Sequence, residues 1–241
     1  MWERDISIKR NTVSKIEEAT PICLNNNFFY TFIKKTKRMK KLFSLILLLS
    51  FTIKAQEIKI GTQTWTTKNL DVTTYRNGDV IPEVVQDTTW EKLTTGAWCY
   101  YENKTAKGTT YGKLYNWYAV NDPRGLAPKG YHIPTDAEWT ILTDSLGELA
   151  GTKMKSTSGW DNDGNGTNTS GFAGLPGGSR DFNGDFLTIL TTGAGVYCNW
   201  WSSSEFDSNY AWSRSLFYFN GNVNRNYYYK QGGFSVRCLR D

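Results

Sequence analysis

The run 200–238, WWSSSEFDSNYAWSRSLFYFNGNVNRNYYYKQGGFSVRC, constrains the fold more than any other stretch of the chain. Its aromatic residues (Trp200, Trp201, Phe206, Tyr210, Trp212, Phe217, Tyr218, Phe219, Tyr227, Tyr228 and Tyr229) are set among Ser, Asn and Asp. Aromatic side chains fit the pleated, half-buried surface of a strand, so the run reads as antiparallel sheet, with strands around 200–204, 212–218 and 234–239. The same mixture builds recognition surfaces, where rigid amphipathic rings supply contact area and Ser and Asn supply adaptable hydrogen bonds. A ligand-binding face and a plain aromatic-rich sheet are both consistent with it.

Upstream, residues 57–65, EIKIGTQTW, alternate and turn as a short hairpin would. Asn77-Gly78 is a turn signal; residues 96–101 read as a strand, 114–120 as a short aromatic helix and 126–134 as a Pro/Gly-bounded loop. The clearest helix follows. Thr135 and Glu138 form a capping box, in which the Thr hydroxyl serves an orphan N–H and the Glu reaches back. Trp139, Leu142 and Leu146 then share one stripe, and Gly147 closes the helix. Short helices followed by antiparallel strands, with no internal repeat, predict a single α+β domain.

Residues 39–55, MKKLFSLILLLSFTIKA, join Lys40 and Lys41 to an apolar run and end on the small Ala55, the pattern of a secretory signal peptide. The run is shorter than the roughly 20 residues of a spanning helix, so no membrane span is expected in the mature chain. A signal normally opens a chain, so residues 1–38 read as a non-native upstream extension and 56–241 as the mature, secreted or cell-surface domain. The charge changes accordingly. Residues 1–55 hold 11 of the 28 Lys and Arg and 4 of the 23 Asp and Glu, which leaves 17 against 19 in 56–241, net −2. A nucleic-acid partner would need clustered basic residues, and none stand out. Cys99, Cys198 and Cys238 remain; an exported domain favours one disulfide, and all three pairings are open.

Catalytic chemistry finds little to use. His132 is the sole histidine, no Gly-x-Ser-x-Gly elbow accompanies it, and its GYHIP context suggests a loop residue bonded to backbone. Asp161, Asp163 and Asn165, with Gly166, match the opening positions of a calcium loop, but the twelfth position, where a bidentate Glu belongs, is Phe172. These residues read either as a Gly/Asn/Asp turn or as a weak calcium site; no other cofactor is expected. Pro176-Gly177-Gly178-Ser179-Arg180 reads as tight backbone geometry, and Trp65 and Trp139 as core.

The strings IGTQTWTTKNL, YRNGDVIP, WCYYENK, YGKLYNWYAV, GYHIPTDAEW, GFAGLPGGSRD, WWSSSE and GFSVRC, in this order, resemble the Fibrobacter succinogenes major paralogous domain over essentially all of 58–241. The resemblance implies a C-type-lectin-like fold of the formylglycine-generating-enzyme variant, with GYHIPTDAEW as its helix start and GFSVRC as its closing strand. It carries no established activity. Formylglycine-generating enzymes need a copper-binding thiolate pair, and Cys198 has no second thiol near it, so the fold does not bring the activity with it. The family usually has Cys-Pro where this chain has Ala127-Pro128, which leaves Cys198 as a candidate partner for Cys238. In such folds the late strands form the ligand face, which implies Asn209, Tyr210, Trp212, Arg214, Tyr218, Asn220, Asn222, Asn224, Arg225, Tyr227 and Tyr229. Residues 211–230 also resemble the variable regions of proteins diversified by retroelements, with Asn220, Asn222, Asn224 and Asn226 as rewritable codons.

The expectation is therefore a non-enzymatic module that binds an extracellular glycan or protein. A secreted carbohydrate-active enzyme and a structural surface protein are the alternatives.

Overall fold

The computed structural model describes residues 56–186 and 193–241; the leader read at 39–55 and the stretch 1–38 lie outside the described residues. The elements run β1 (Glu57–Ile60), β2 (Gln63–Thr66), α1 (Asp87–Trp90), β3 (Trp98–Cys99), α2 (Thr105–Tyr111), β4 (Leu114–Tyr115), α3 (Trp117–Val120), β5 (Tyr131–His132), α4 (Asp136–Leu146), α5 (Ala150–Met154), β6 (Tyr197–Glu205), β7 (Tyr210–Phe217), β8 (Asn224–Tyr229) and β9 (Leu239–Arg240). Pairings between these strands are all antiparallel, so the mixed α+β expectation holds. No helix among the described residues is long and apolar enough to cross a membrane.

The two ends of the domain meet in one sheet of order β1-β2-β9-β5. The predicted hairpin turns at Gly61-Thr62, Ile60 facing Gln63, and Gly61 takes the positive φ of 58° that such a turn needs. β9 slots beside β2, with Leu239 opposite Trp65. A second sheet, β6-β7-β8, has one strand fewer but longer strands and is the largest in residues, and β3 and β4 form a small ribbon.

Helix α4 starts as its sequence implies: the Thr135 hydroxyl accepts from the Glu138 N–H, while the Glu138 carboxylate accepts from the Thr135 N–H at 2.8 Å. Its apolar stripe drives Trp139 and Leu142 into the core at 0 % exposure. There Trp139 meets Trp65 (centroids 4.8 Å), Phe172 (6.0 Å) and Trp200 (6.1 Å). Rings of this size contribute roughly 2–3 kcal/mol each through burial. This cluster lies between the end-to-end sheet and β6–β7, which is why the helix can support the largest sheet from beneath.

Three expectations change. Residues 114–120 form no continuous helix, because Asn116 interrupts them: its Oδ1 accepts from the N–H groups of Ala97 (3.0 Å) and Ala119 (3.1 Å), and its Nδ2 donates to Thr95 O (2.8 Å). Leu114–Tyr115 therefore pair with β3, and the helix begins only after this cap. Among the described residues Cys99, Cys198 and Cys238 form no disulfide. Each is buried in a different cluster, Cys238 with Trp201 and Phe234, Cys198 with Trp139 and Trp200, Cys99 with Trp90 and Tyr101, and burial pushes the Cys99 and Cys238 thiols up to about 12. Such thiols are protonated and unreactive.

The third change is His132, which bonds side chains and not backbone. Its ring nitrogens lie 2.9 Å from Glu138 Oε1 and 2.8 Å from Asp241 Oδ1. Burial pulls its pKa down, but the hydrogen bonds and charges of Asp241 and Glu138 outweigh it, and the net shift is upward from 6.5. A raised folded pKa gives stability that is complete below the unfolded value and is lost as pH rises through the folded one. We expect the single imidazole signal in the NMR spectrum to titrate above 6.5. We also expect the denaturation midpoint to fall on alkalinisation through that value, and to do so less in His132→Gln. A midpoint at or below 6.5 would contradict the bridge.

Candidate binding face

The site is built on the β6-β7-β8 sheet, with β7 in the centre and β8 at the edge. Asp207 closes the β6–β7 turn by accepting from the N–H groups of Asn209 (2.8 Å) and Tyr210 (2.9 Å). From the other side Lys230, itself buried, holds the turn through Ser208 O (2.8 Å) and an ion pair with Glu205.

Period-two alternation then divides the predicted residues, because partners across a ladder point to the same face. Tyr210 faces Tyr229, Trp212 faces Tyr227 and Arg214 faces Arg225, so these six share one face. Asn224 faces Ser215 and Asn226 faces Ser213, on the reverse. The single face expected from sequence is thus two faces of one sheet.

The first face is divided again along its length. At the Arg214 end α4 covers it. Arg214 is 2 % exposed; its Nη1 donates to Asp136 Oδ1 (2.6 Å), and its Nη2 to Asp136 O (3.0 Å) and Thr140 Oγ1 (3.1 Å). It is a structural residue, not a surface ligand group. The same carboxylate grips the exposed Arg225 through Nε and Nη2 (2.8 Å for Nη2–Oδ2), and that guanidinium lies 3.4 Å from the Trp212 centroid. Burial would raise the Asp136 carboxyl, but hydrogen bonds from Arg225 and Arg214 and their charges hold it below the usual carboxylate range.

At the Tyr210 end nothing among the described residues lies over the sheet. Phe206 stacks on Tyr227 (4.2 Å, 4° between planes) and stands edge-on to Trp212 (4.9 Å). Tyr210 packs on Tyr229 at 4.4 Å, and Phe182 reaches Tyr229 from the preceding loop, also at 4.4 Å. A hydrogen bond to Tyr229 pushes the Tyr210 phenol up to about 12, so the Tyr210 hydroxyl stays neutral at ordinary pH. The rings are fixed by one another yet open outward: Tyr227 is 50 % exposed, Phe206 42 % and Tyr229 36 %.

The other predicted residues lie elsewhere. Asn209 sits in the β6–β7 turn. Tyr218 is half-buried against the Trp139 cluster. Asn220 and Asn222 belong to the β7–β8 loop, where Asn220 Oδ1 accepts from the Asn222 N–H (3.1 Å). That loop is clamped by the buried Lys155 ammonium, which donates to the carbonyls of Phe217, Tyr218 and Asn220 at 3.0–3.3 Å. The calcium candidate Asp161, Asp163 and Asn165 has the local geometry of a turn. Asn165 Oδ1 accepts from the Trp160 N–H (3.0 Å), Asn162 and Asp163 take positive φ, and Phe172 is core. Among the described residues no three His, Cys, Asp or Glu gather to hold a metal.

Phe182 and Asp136 complete the face and were not foreseen in it. No local pattern marks Phe182, which enters from a loop, and Asp136 reads in sequence as an ordinary first-turn acid of α4.

These features define a class: a small α+β domain whose last long strands display a fixed aromatic surface. The Fibrobacter succinogenes major domain model matches residues 58–240, and the chain belongs to that family. Neither a curated protein nor a solved structure matches the chain.

Proposed function

We propose that this is an exported, non-enzymatic binding module of C-type-lectin-like architecture that recognises an extracellular partner through the aromatic end of the β6-β7-β8 sheet. The pairing of the first hairpin with the last strand, β2 with β9, supports the lectin-like reading. The observation that carries the binding reading is the outward cluster of Phe206, Tyr210, Trp212, Tyr227 and Tyr229 beside Arg225. Contiguous exposed rings mark interaction sites, and Tyr, Trp and Arg are the residue types that dominate protein hot spots. Between glycan and protein, protein fits this face better. Its rings are locked against one another, so little conformational entropy is lost on docking.

The Asn positions suggested as rewritable codons do not fall on this surface. Asn220 and Asn222 lie on the loop, and Asn224 and Asn226 on the reverse face. A retroelement-diversified receptor would therefore vary the reverse face and keep the aromatic one.

The test is an array of extracellular proteins and glycans probed with the full chain. The double variant Phe206→Ala/Tyr227→Ala should weaken a detected protein ligand about 30-fold or more, corresponding to roughly 1 kcal/mol per ring. Unchanged affinity in the folded double variant would place binding elsewhere.

A further inference from the structure

The reverse face of the same sheet carries an unusual set of side chains. Where a buried sheet interior would ordinarily hold Val or Ile, three adjacent strands present Asn199, Ser213, Ser215, Asn224 and Asn226 in two cross-strand rows. They are wired together: Asn226 Nδ2 donates to Ser215 Oγ (3.1 Å), and Ser215 Oγ donates to Asn199 Oδ1 (3.2 Å). Yet the wiring is incomplete, since the Asn224 amide nitrogen is buried with no acceptor among the described residues. A buried donor without a partner is costly, about 1–3 kcal/mol; Asn224 itself does not line the groove beside it.

An open groove of about 700 Å³ lies over the Asn199, Ser213 and Asn226 part of this floor, walled by Tyr197 and Tyr228 and bordered by Trp212, Arg225 and Tyr227. The walls are pre-set. Tyr228 hydrogen-bonds Asp181 and packs on Phe234 at 5.1 Å, and Tyr197 packs on Phe217 at 4.9 Å. Burial holds both phenols protonated. The one ionised side chain among the described lining residues is Arg225, and its guanidinium is held by Asp136 on the opposite face. A concave site with neutral hydroxyl and amide groups between two aromatic walls suits a ligand that is itself neutral, rich in hydroxyls, and apolar on its ring faces.

We propose that this groove is a second binding site, on the reverse of the sheet with Trp212, Arg225 and Tyr227 at its border with the aromatic surface, and that it takes a neutral saccharide. Pyranose ring faces lie against Tyr197 and Tyr228, while hydroxyl oxygens accept from the Asn amides and donate to the Ser and Asn oxygens.

The test titrates the isotope-labelled full chain with neutral hexasaccharides of β-1,4-linked glucose, xylose, mannose and galactose, and with a hexamer of galacturonate as the charged counterpart. At least one neutral hexasaccharide should shift the side-chain amide signals of Asn199 and Asn226 to saturation. Asn226→Ala should weaken that binding at least tenfold. Asn226→Gln, which keeps the amide, should weaken it less, and the spectrum of each variant reports whether it has folded. Three results would overturn the site: shifts confined to Phe206 and Tyr210, which would move the saccharide to the aromatic surface; binding of galacturonate alone; or no saturable shift from any neutral hexasaccharide at millimolar concentration. Phe206 lies outside the groove and Asn226 points away from the aromatic surface, so Phe206→Ala and Asn226→Ala separate the two sites, and either can fail without the other.

Discussion

Arg237→Met should destabilise the domain by roughly 3 kcal/mol, enough to leave a small domain marginal. Arg237 is 1 % exposed, and no carboxylate among the described residues pairs with it. Its guanidinium is solvated by the chain itself: Nε donates to Asn69 Oδ1 (2.7 Å), Nη1 to the carbonyls of Thr66 (2.7 Å) and Phe172 (2.8 Å), and Nη2 to that of Ala173 (3.1 Å). Burial draws its pKa down to about 9, which leaves it charged at neutral pH. Replacing a whole buried ion pair by apolar residues can be neutral, because both charges leave together. Here three of the four acceptors are backbone and cannot be removed, while Asn69 Oδ1 keeps the Trp200 Nε1 donor (2.9 Å), so methionine relieves one desolvated charge but orphans three carbonyls at about 1 kcal/mol or more each. The contacts also link β2, the 172–173 turn and the strand leading to β9, so the loss falls on the junction of the two chain ends. Denaturant unfolding of the full chain measures it. Arg237→Lys keeps the charge but cannot reach all four acceptors, and should fall between. A methionine variant as stable as the parent would show that the carbonyls find other partners.

Residues whose meaning is local read correctly from sequence. The Thr135/Glu138 cap, the Gly61 turn and the Trp139 stripe depend on neighbours within a few positions, where spacing and φ requirements act directly. The aromatic density of 200–229 likewise announced a sheet with rings to place. What local pattern could not supply is which part of each face stays open. In YAWSRSLF, parity puts Arg214 beside Trp212, and nothing local distinguishes them. The difference is tertiary: α4 crosses the sheet at Arg214 and stops short of Trp212. Pairing of Cys198 with Cys238 failed for the same kind of reason, since each thiol points into a different cluster. The unexpected polar floor arises from register. Asn224 and Asn226 meet Ser215 and Ser213 only because β7 and β8 pair as they do, and a shift by one residue would have put the tyrosines there instead.

The second large effect centres on Asp136, which joins the fold to the face. Its carboxylate neutralises the buried Arg214 and fixes the exposed Arg225 over Trp212. Asp136→Ala leaves a guanidinium at 2 % exposure without its counter-ion, which typically costs about 3–5 kcal/mol for a fully buried pair. With the carboxylate 17 % exposed, roughly 3 kcal/mol is expected. The same change frees Arg225, so the aromatic surface should lose its fixed edge, and affinity for a ligand held there should fall even in the fraction that remains folded. Asp136→Asn preserves an acceptor and the shape, and isolates the charge. The acid limb separates the two contributions. A carboxyl whose folded pKa is depressed adds stability above its unfolded value, near 3.9, and loses it as pH falls through the folded one. Denaturant midpoints taken from pH 6 downward should therefore drop in the parent chain and flatten in Asp136→Asn. If parent and variant lose stability in parallel, the Arg214–Asp136–Arg225 bridge does not contribute the stabilisation assigned to it. Arg225 would then be anchored by its stacking on Trp212, and the aromatic face would keep its shape without help from the helix.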